Sequence, residues 1–163
     1  MKIGFIGLGN VGGKLANNLL KNRYRLIVRD LDPKLSNKFK KKGAVIAASP
    51  KDLAEKSDII ITCLPSPKSC SRVMTAKDGV LKGLKKNKIW LEMSTTDQSE
   101  VKRIGTMVKK KGSYTLDVPV SGGCHRAATG NISIFAGGEK KVFKKVLPIL
   151  KCMGRKILYT GEL

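Results

Sequence analysis

Short apolar, β-branched runs alternate along this chain with longer amphipathic stretches. The runs predict strands at Lys2–Ile6, Arg25–Arg29, Asp58–Cys63, Lys88–Glu92, Tyr114–Asp117, Ile132–Ala136 and Lys156–Tyr159. The stretches between them predict helices at Val11–Lys21, Pro33–Lys42, Ser66–Met74, Asp97–Lys111 and Lys140–Cys152, with a short one after Ser49-Pro50. In the first of these, Val11, Leu15, Ala16, Leu19 and Leu20 fall on one helical face. Ser49 and Thr96 stand where helix N-caps stand. Gly43, Gly112 and Gly154 follow helical stretches, as glycines that terminate helices do.

Strand–helix alternation of this kind builds βαβ units around a mostly parallel sheet. The near-continuous apolar run Ile59–Leu64 suits a central strand covered on both faces. The expected fold is therefore α/β, a Rossmann-type doubly wound sheet. There is no linker or repeat, so residues 1–163 are expected to form one domain.

The first strand runs into Gly7-Leu8-Gly9-Asn10-Val11-Gly12, which fits G-x-G-x-x-G in the required context of strand before and helix after. Each glycine has a separate task. Gly7 allows the tight turn, Gly9 lets backbone approach a pyrophosphate, and Gly12 lets the helix pack close to the strand. The N–H groups and dipole of the helix N-terminus favour phosphate. Asp30, at the end of the second strand, stands 18 residues after Gly12 (30 − 12) and is placed to accept from adenosine ribose hydroxyls. Its carboxylate would repel a 2′-phosphate, and the next residue is Leu31 rather than an arginine, so NAD is favoured over NADP. Leu64-Pro65 and Thr95 end the next two parallel strands, where ligands of open sheets lie. Ser69, in the helix that follows, is counted with them.

Composition narrows the partners. Lys plus Arg number 33 against 12 for Asp plus Glu, a formal charge of +21. Such a balance attracts polyanions. The Lys pairs and triplets are spread over the whole chain, however, and arginine-rich or aromatic readers of nucleic acid are missing. A solvated basic surface is expected, with no specific nucleic acid partner. No apolar run is long enough to cross a membrane. Met1 leads straight into the first strand with no targeting segment before it, so a cytoplasmic location is expected. The four cysteines form no CxxC pair and are expected to be reduced. With one histidine, His125, a metal site is not expected.

The opening Gly4–Gly12 resembles that of the β-hydroxyacid dehydrogenase family, with Val11 where methionine is usual. Asp117-Val118-Pro119-Val120-Ser121-Gly122-Gly123 resembles its substrate-binding signature, with Val118 for the usual alanine. Leu64-Pro65, Met93-Ser94-Thr95 and Ala136-Gly137-Gly138 follow in the family's order and spacing. Arg25–Asp30, Asp52–Lys56 and Cys152–Gly154 point to its 3-hydroxyisobutyrate branch.

The resemblance implies hydride transfer between NAD(P) and the CH–OH carbon of a small hydroxy acid. It implies that Ser121, Gly122 and Gly123 hold the substrate carboxylate, which suits a hydroxyl beside unencumbered backbone N–H groups. It also implies a catalytic lysine in a G-x-x-G-x-G-x-x-x-K segment that would begin at Gly161, so the lysine lies beyond Leu163. The family's helical substrate domain would follow it. This chain alone is then expected to be inactive. Cys124-His125-Arg126 replaces the family's small residues, and Arg126 either binds a second polar group of the substrate or faces solvent. Two other readings remain: a non-catalytic Rossmann module binding a nucleotide or nucleic acid, and a self-associating structural domain.

Overall fold

The computed structural model describes residues 1–163. Its strands are β1 (Lys2–Ile6), β2 (Arg25–Arg29), β3 (Val45–Ile46), β4 (Ile59–Thr62), β5 (Ile89–Glu92), β6 (Tyr114–Asp117), β7 (Val120–Ser121), β8 (Ile132–Gly138) and β9 (Gly154–Gly161). Its helices are α1 (Gly12–Lys21), α2 (Pro33–Lys40), α3 (Pro50–Lys56), α4 (Pro67–Thr75), α5 (Val80–Gly83), α6 (Gln98–Lys110), α7 (Gly123–Ala128) and α8 (Lys140–Met153).

The strands form one sheet in the order β3-β2-β1-β4-β5-β6-β8-β7, with β9 added to β8. From β1 to β6 every pairing is parallel, and the order 3-2-1-4-5-6 is that of a doubly wound dinucleotide-binding sheet. β8 runs antiparallel to β6 and β7, and β9 returns parallel to β8.

Successive strand residues point to opposite faces, and the core divides accordingly. Ile3, Phe5, Leu26, Val28, Ile59, Ile61, Ile89 and Leu91 pack under α1, α2 and α8. Ile6, Ile27, Ile60 and Trp90 pack under α3, α4, α5 and α6. Helices on both faces account for the apolar run in β4, all four of whose residues are buried. Each such side chain contributes roughly 1.5–3 kcal/mol on burial. Truncating Ile60, fully enclosed, to alanine should cost ~2–5 kcal/mol.

Two expected helix signals are corrected. The cap of α6 is Asp97, not Thr96: its carboxylate accepts from the Ser99 N–H at 2.7 Å. Gly154 is not a left-handed terminator; its φ of −134° is extended, and it opens β9 as α8 ends. Gly43 and Gly112 do adopt positive φ, and Ser49 does cap α3 by accepting from the Asp52 N–H at 3.1 Å. Four elements, β3, α5, β7 and α7, were not expected from the sequence. They run from two to six residues, too short to show a period.

Candidate dinucleotide cleft

The sheet order reverses between β1 and β4, and their C-terminal ends open into a cleft of about 850 Å³. Ligands of such sheets lie in this crevice. Gly7, Gly9, Asn10, Val11, Gly12 and Asp30 line one side of it, and Leu64, Pro65, Ser69, Ser94 and Thr95 the other.

The three glycines of the turn differ in what surrounds them. Gly7 has φ +95°, and a Cβ there would lie 2.2 Å from the Cys63 carbonyl oxygen. At Gly12 a Cβ would lie 2.0 Å from the Gly7 oxygen, so the first turn of α1 is pressed on the turn before it. A Cβ at Gly9 would meet nothing within 4 Å. The protein itself makes no demand for glycine at position 9, and the space in front of it belongs to the cleft. No backbone carbonyl accepts from the N–H groups of Gly9, Asn10, Val11 or Gly12. Lys14, outside the cleft lining, donates from Nζ to the Asn10 carbonyl at 2.9 Å. Free N–H groups and a helix N-terminus together suit a pyrophosphate.

Leu8 differs from its neighbours. Its side chain is buried in the core, and its N–H donates to Asp30 Oδ2 at 2.6 Å. It therefore serves the cleft through Asp30 and not through a free donor. Asp30 Oδ1 accepts from the Asp32 N–H at 2.9 Å, and the Asp30 N–H donates to Ser36 Oγ at 3.2 Å. A carboxylate offers about four acceptor positions, so capacity remains for two ribose hydroxyls. Leu31, 90% exposed, Leu35, Pro50 and Val73 add an apolar rim beside it. Nothing in the sequence spacing marked Leu35, Pro50 and Val73, because α2, α3 and α4 bring them together from separate parts of the chain.

On the opposite side, the Leu64 N–H donates to Ser94 Oγ at 2.7 Å, which joins the loops after β4 and β5. Ser69 is braced by Ser66, whose Oγ caps α4 by accepting from the Ser69 N–H at 3.1 Å. Thr95 and Pro65 are exposed on the cleft wall. Cys63 also lines it; burial first, and the Glu92 carboxylate second, push its thiol up to about 12. It is a neutral wall residue and not a nucleophile.

Of the substrate-motif residues, Gly123 (φ +72°) lines the cleft, while Ser121 and Gly122 (φ +128°) are exposed just outside it. The Arg126 stem packs against Gly122, where a Cβ would meet its Cδ at 2.8 Å. His125 is exposed on α7. All four cysteines are free, and no His, Cys, Asp or Glu cluster has the arrangement of a metal site. No helix is long and apolar enough to cross a membrane.

The fold order, the glycine turn and the acidic residue that follows β2 describe a dinucleotide-binding domain, and comparison with known families gives it a place. Residues 2–161 match the model of the NAD-binding domain of 6-phosphogluconate dehydrogenase. The chain belongs to this family. Among its relatives, the mitochondrial 3-hydroxyisobutyrate dehydrogenase of Rattus norvegicus is 42% identical over 159 residues, 98% of this chain and 48% of the relative. An NAD-dependent L-serine dehydrogenase of Pseudomonas aeruginosa is 34% identical over 160 residues, 98% of this chain and 54% of the relative. The solved structure of Mycobacterium tuberculosis 3-hydroxyisobutyrate dehydrogenase with L-serine superposes with a TM-score of 0.93 at 26% identity. That superposition covers 99% of this chain and 54% of the other. This NAD-binding family member thus spans about half the length of the curated relatives it matches.

Proposed function

We propose that the chain is the cofactor-binding half of an NAD-dependent dehydrogenase acting on a small β-hydroxy acid, of the 3-hydroxyisobutyrate type. One observation carries the reading. The cleft combines an unblocked Gly9, four N–H groups unused by the backbone and a carboxylate with spare acceptors, at the crossover of a doubly wound sheet. The residues present fit a dinucleotide. Gly9, Asn10, Val11 and Gly12 would hold its pyrophosphate, and Asp30 its adenosine ribose. Leu64, Pro65, Ser69 and Thr95 would flank its nicotinamide end.

When bound, the nicotinamide supplies the acceptor for a hydride leaving the substrate's CH–OH carbon. This chain's residues bind and orient. Ser121, Gly122 and Gly123 offer a hydroxyl and backbone N–H groups to the substrate carboxylate. A lysine outside residues 1–163 would take the hydroxyl proton, as the family resemblance implies. We read the chain as one domain over its whole length and place the protein in the cytoplasm, although the Rattus norvegicus relative is mitochondrial.

Asp30 favours NAD over NADP, because a 2′-phosphate would meet its carboxylate. Titration of the purified chain with NADH and NADPH, followed by thermal shift at fixed salt, tests the reading. Stabilisation by NADH well above NADPH is expected; stabilisation by neither would sink the assignment.

The self-association reading has one support: Phe135 and Leu158, register partners on β8 and β9, are 37% and 42% exposed. Light scattering that gives a clean monomer at high concentration would refute it.

A further inference from the structure

Glu92 ends β5 and is closed to solvent. A carboxylate is costly in such a place unless its oxygens are paired. Both are. Oε2 accepts from Thr62 Oγ1 at 2.8 Å and from the Cys70 thiol at 2.7 Å, and Oε1 accepts from the Ser94 N–H at 2.7 Å. Trp90 Nε1 donates to Thr62 Oγ1 at 2.8 Å, which leaves the single hydroxyl proton of Thr62 for Glu92. The carboxylate thus gathers the end of β4, the middle of α4 and the loop after β5.

The network continues to the cleft. Ser94, fixed through its N–H, accepts on Oγ from the Leu64 N–H at 2.7 Å. Leu64, Pro65, Ser94 and Thr95 form the cleft wall, but Glu92 is not part of the lining. The Asp30 end of the cleft is held by a separate set of bonds, to Leu8, Asp32 and Ser36. The two ends of the cleft therefore have independent supports.

We infer that Glu92 is a positioning residue for the nicotinamide half of the cofactor, setting the spacing between the Leu64 and Ser94 loops from behind the wall. The inference rests on the dinucleotide reading proposed above. Its chemistry explains the residue type. All three direct partners donate to Glu92 as arranged here, which favours a group that accepts on both oxygens; the Thr62 hydroxyl and the Cys70 thiol can also accept, so the Ser94 N–H is the one partner that demands an acceptor. A glutamine would replace one of the two acceptors with an amide NH2, and an apolar residue would leave the Ser94 N–H unpaired.

The test compares two ligands on the purified chain: NADH, and ADP-ribose, which has the same adenosine and pyrophosphate but no nicotinamide. Wild type, Glu92→Gln and Glu92→Ala are titrated with each by calorimetry. Glu92→Ala should weaken NADH by about tenfold or more, the consequence of an unpaired buried donor, and Glu92→Gln by a smaller factor. ADP-ribose should change less than about twofold, the scatter expected for independent sites. Its retained binding by Glu92→Gln, the near-isosteric variant, shows that the fold is intact. Equal losses for both ligands would make Glu92 a general structural residue and overturn the inference. So would unchanged NADH affinity in both variants. Failure of the wild type to bind NADH would overturn the dinucleotide reading itself, and this inference with it.

Discussion

The N–H of Leu8 donates to Oδ2 of Asp30 at 2.6 Å, across 22 residues of sequence. The carboxylate proposed to read the adenosine ribose is thus also the brace of the glycine turn. A sequence motif records the two as separate requirements; here they are one hydrogen-bonded unit.

Asp30→Ala should therefore do two things at once. Loss of the ribose acceptor should weaken NADH by ~1.5–3 kcal/mol, the usual worth of hydrogen bonds to a charged group. Loss of the acceptor for the Leu8 and Asp32 N–H groups should also lower the melting temperature without ligand. Calorimetric titration and a ligand-free melt measure the two separately. Unchanged NADH affinity would remove Asp30 from the site.

The glycines separate binding from folding. Gly9→Ala should leave the ligand-free melting temperature nearly unchanged, because its Cβ enters open space, while NADH binding falls sharply. Gly12→Ala should destabilise the chain itself, since its Cβ would lie 2.0 Å from the Gly7 oxygen. Should Gly9→Ala bind NADH as wild type does, no phosphate approaches that residue.

Asp117 gives a pH dependence. Burial first, and the Glu92 carboxylate second, push its carboxyl up to about 6, and its Oδ1 has no hydrogen-bond partner. The folded chain holds this proton more tightly than the unfolded one. The stability it contributes is complete below about pH 4, declines as pH rises towards 6, and is absent above that. Asp117→Asn removes the titration. Its melting temperature should exceed that of wild type above pH 6, by the equivalent of ~1 kcal/mol once partial exposure is allowed for, and the gap should close below pH 4. A gap of constant size across this range would mean that Asp117 does not titrate as described.

The charge of +21 should show itself as nonspecific attraction. Fluorescence anisotropy with duplex DNA should detect weak binding at about 50 mM salt that is lost by about 200 mM. Tight binding that survives the higher salt would favour the nucleic-acid module over the dehydrogenase half.

Much of the architecture was legible because β1, β2, β4 and β5 carry buried apolar residues, and α1 repeats its apolar positions over nearly three turns. The glycine turn was legible because backbone conformation restricts residue choice there. Other features depend on tertiary placement. The apolar rim of Leu35, Pro50 and Val73 comes from three helices. Glu92 reads in sequence as a polar end to a strand, and its role appears only when Thr62, Cys70 and Ser94 converge on it. Thr96 and Asp97 are both capping residue types, and one residue of register decides whether the hydroxyl or the carboxylate faces the free N–H groups.

Asn18, buried in α1, donates from Nδ2 to the Ala127 carbonyl of α7 at 2.8 Å, linking positions 109 apart in sequence. One helix starts at the glycine turn and the other at Gly123, beside the motif proposed to hold the substrate, so the bond works as a crosspiece between them. It ties the two together even though the chain between them passes through most of the sheet. For anyone redesigning this protein, the Cys124-His125-Arg126 surface becomes an exchangeable cassette, provided that the residue at 127 remains small and its carbonyl still meets Asn18.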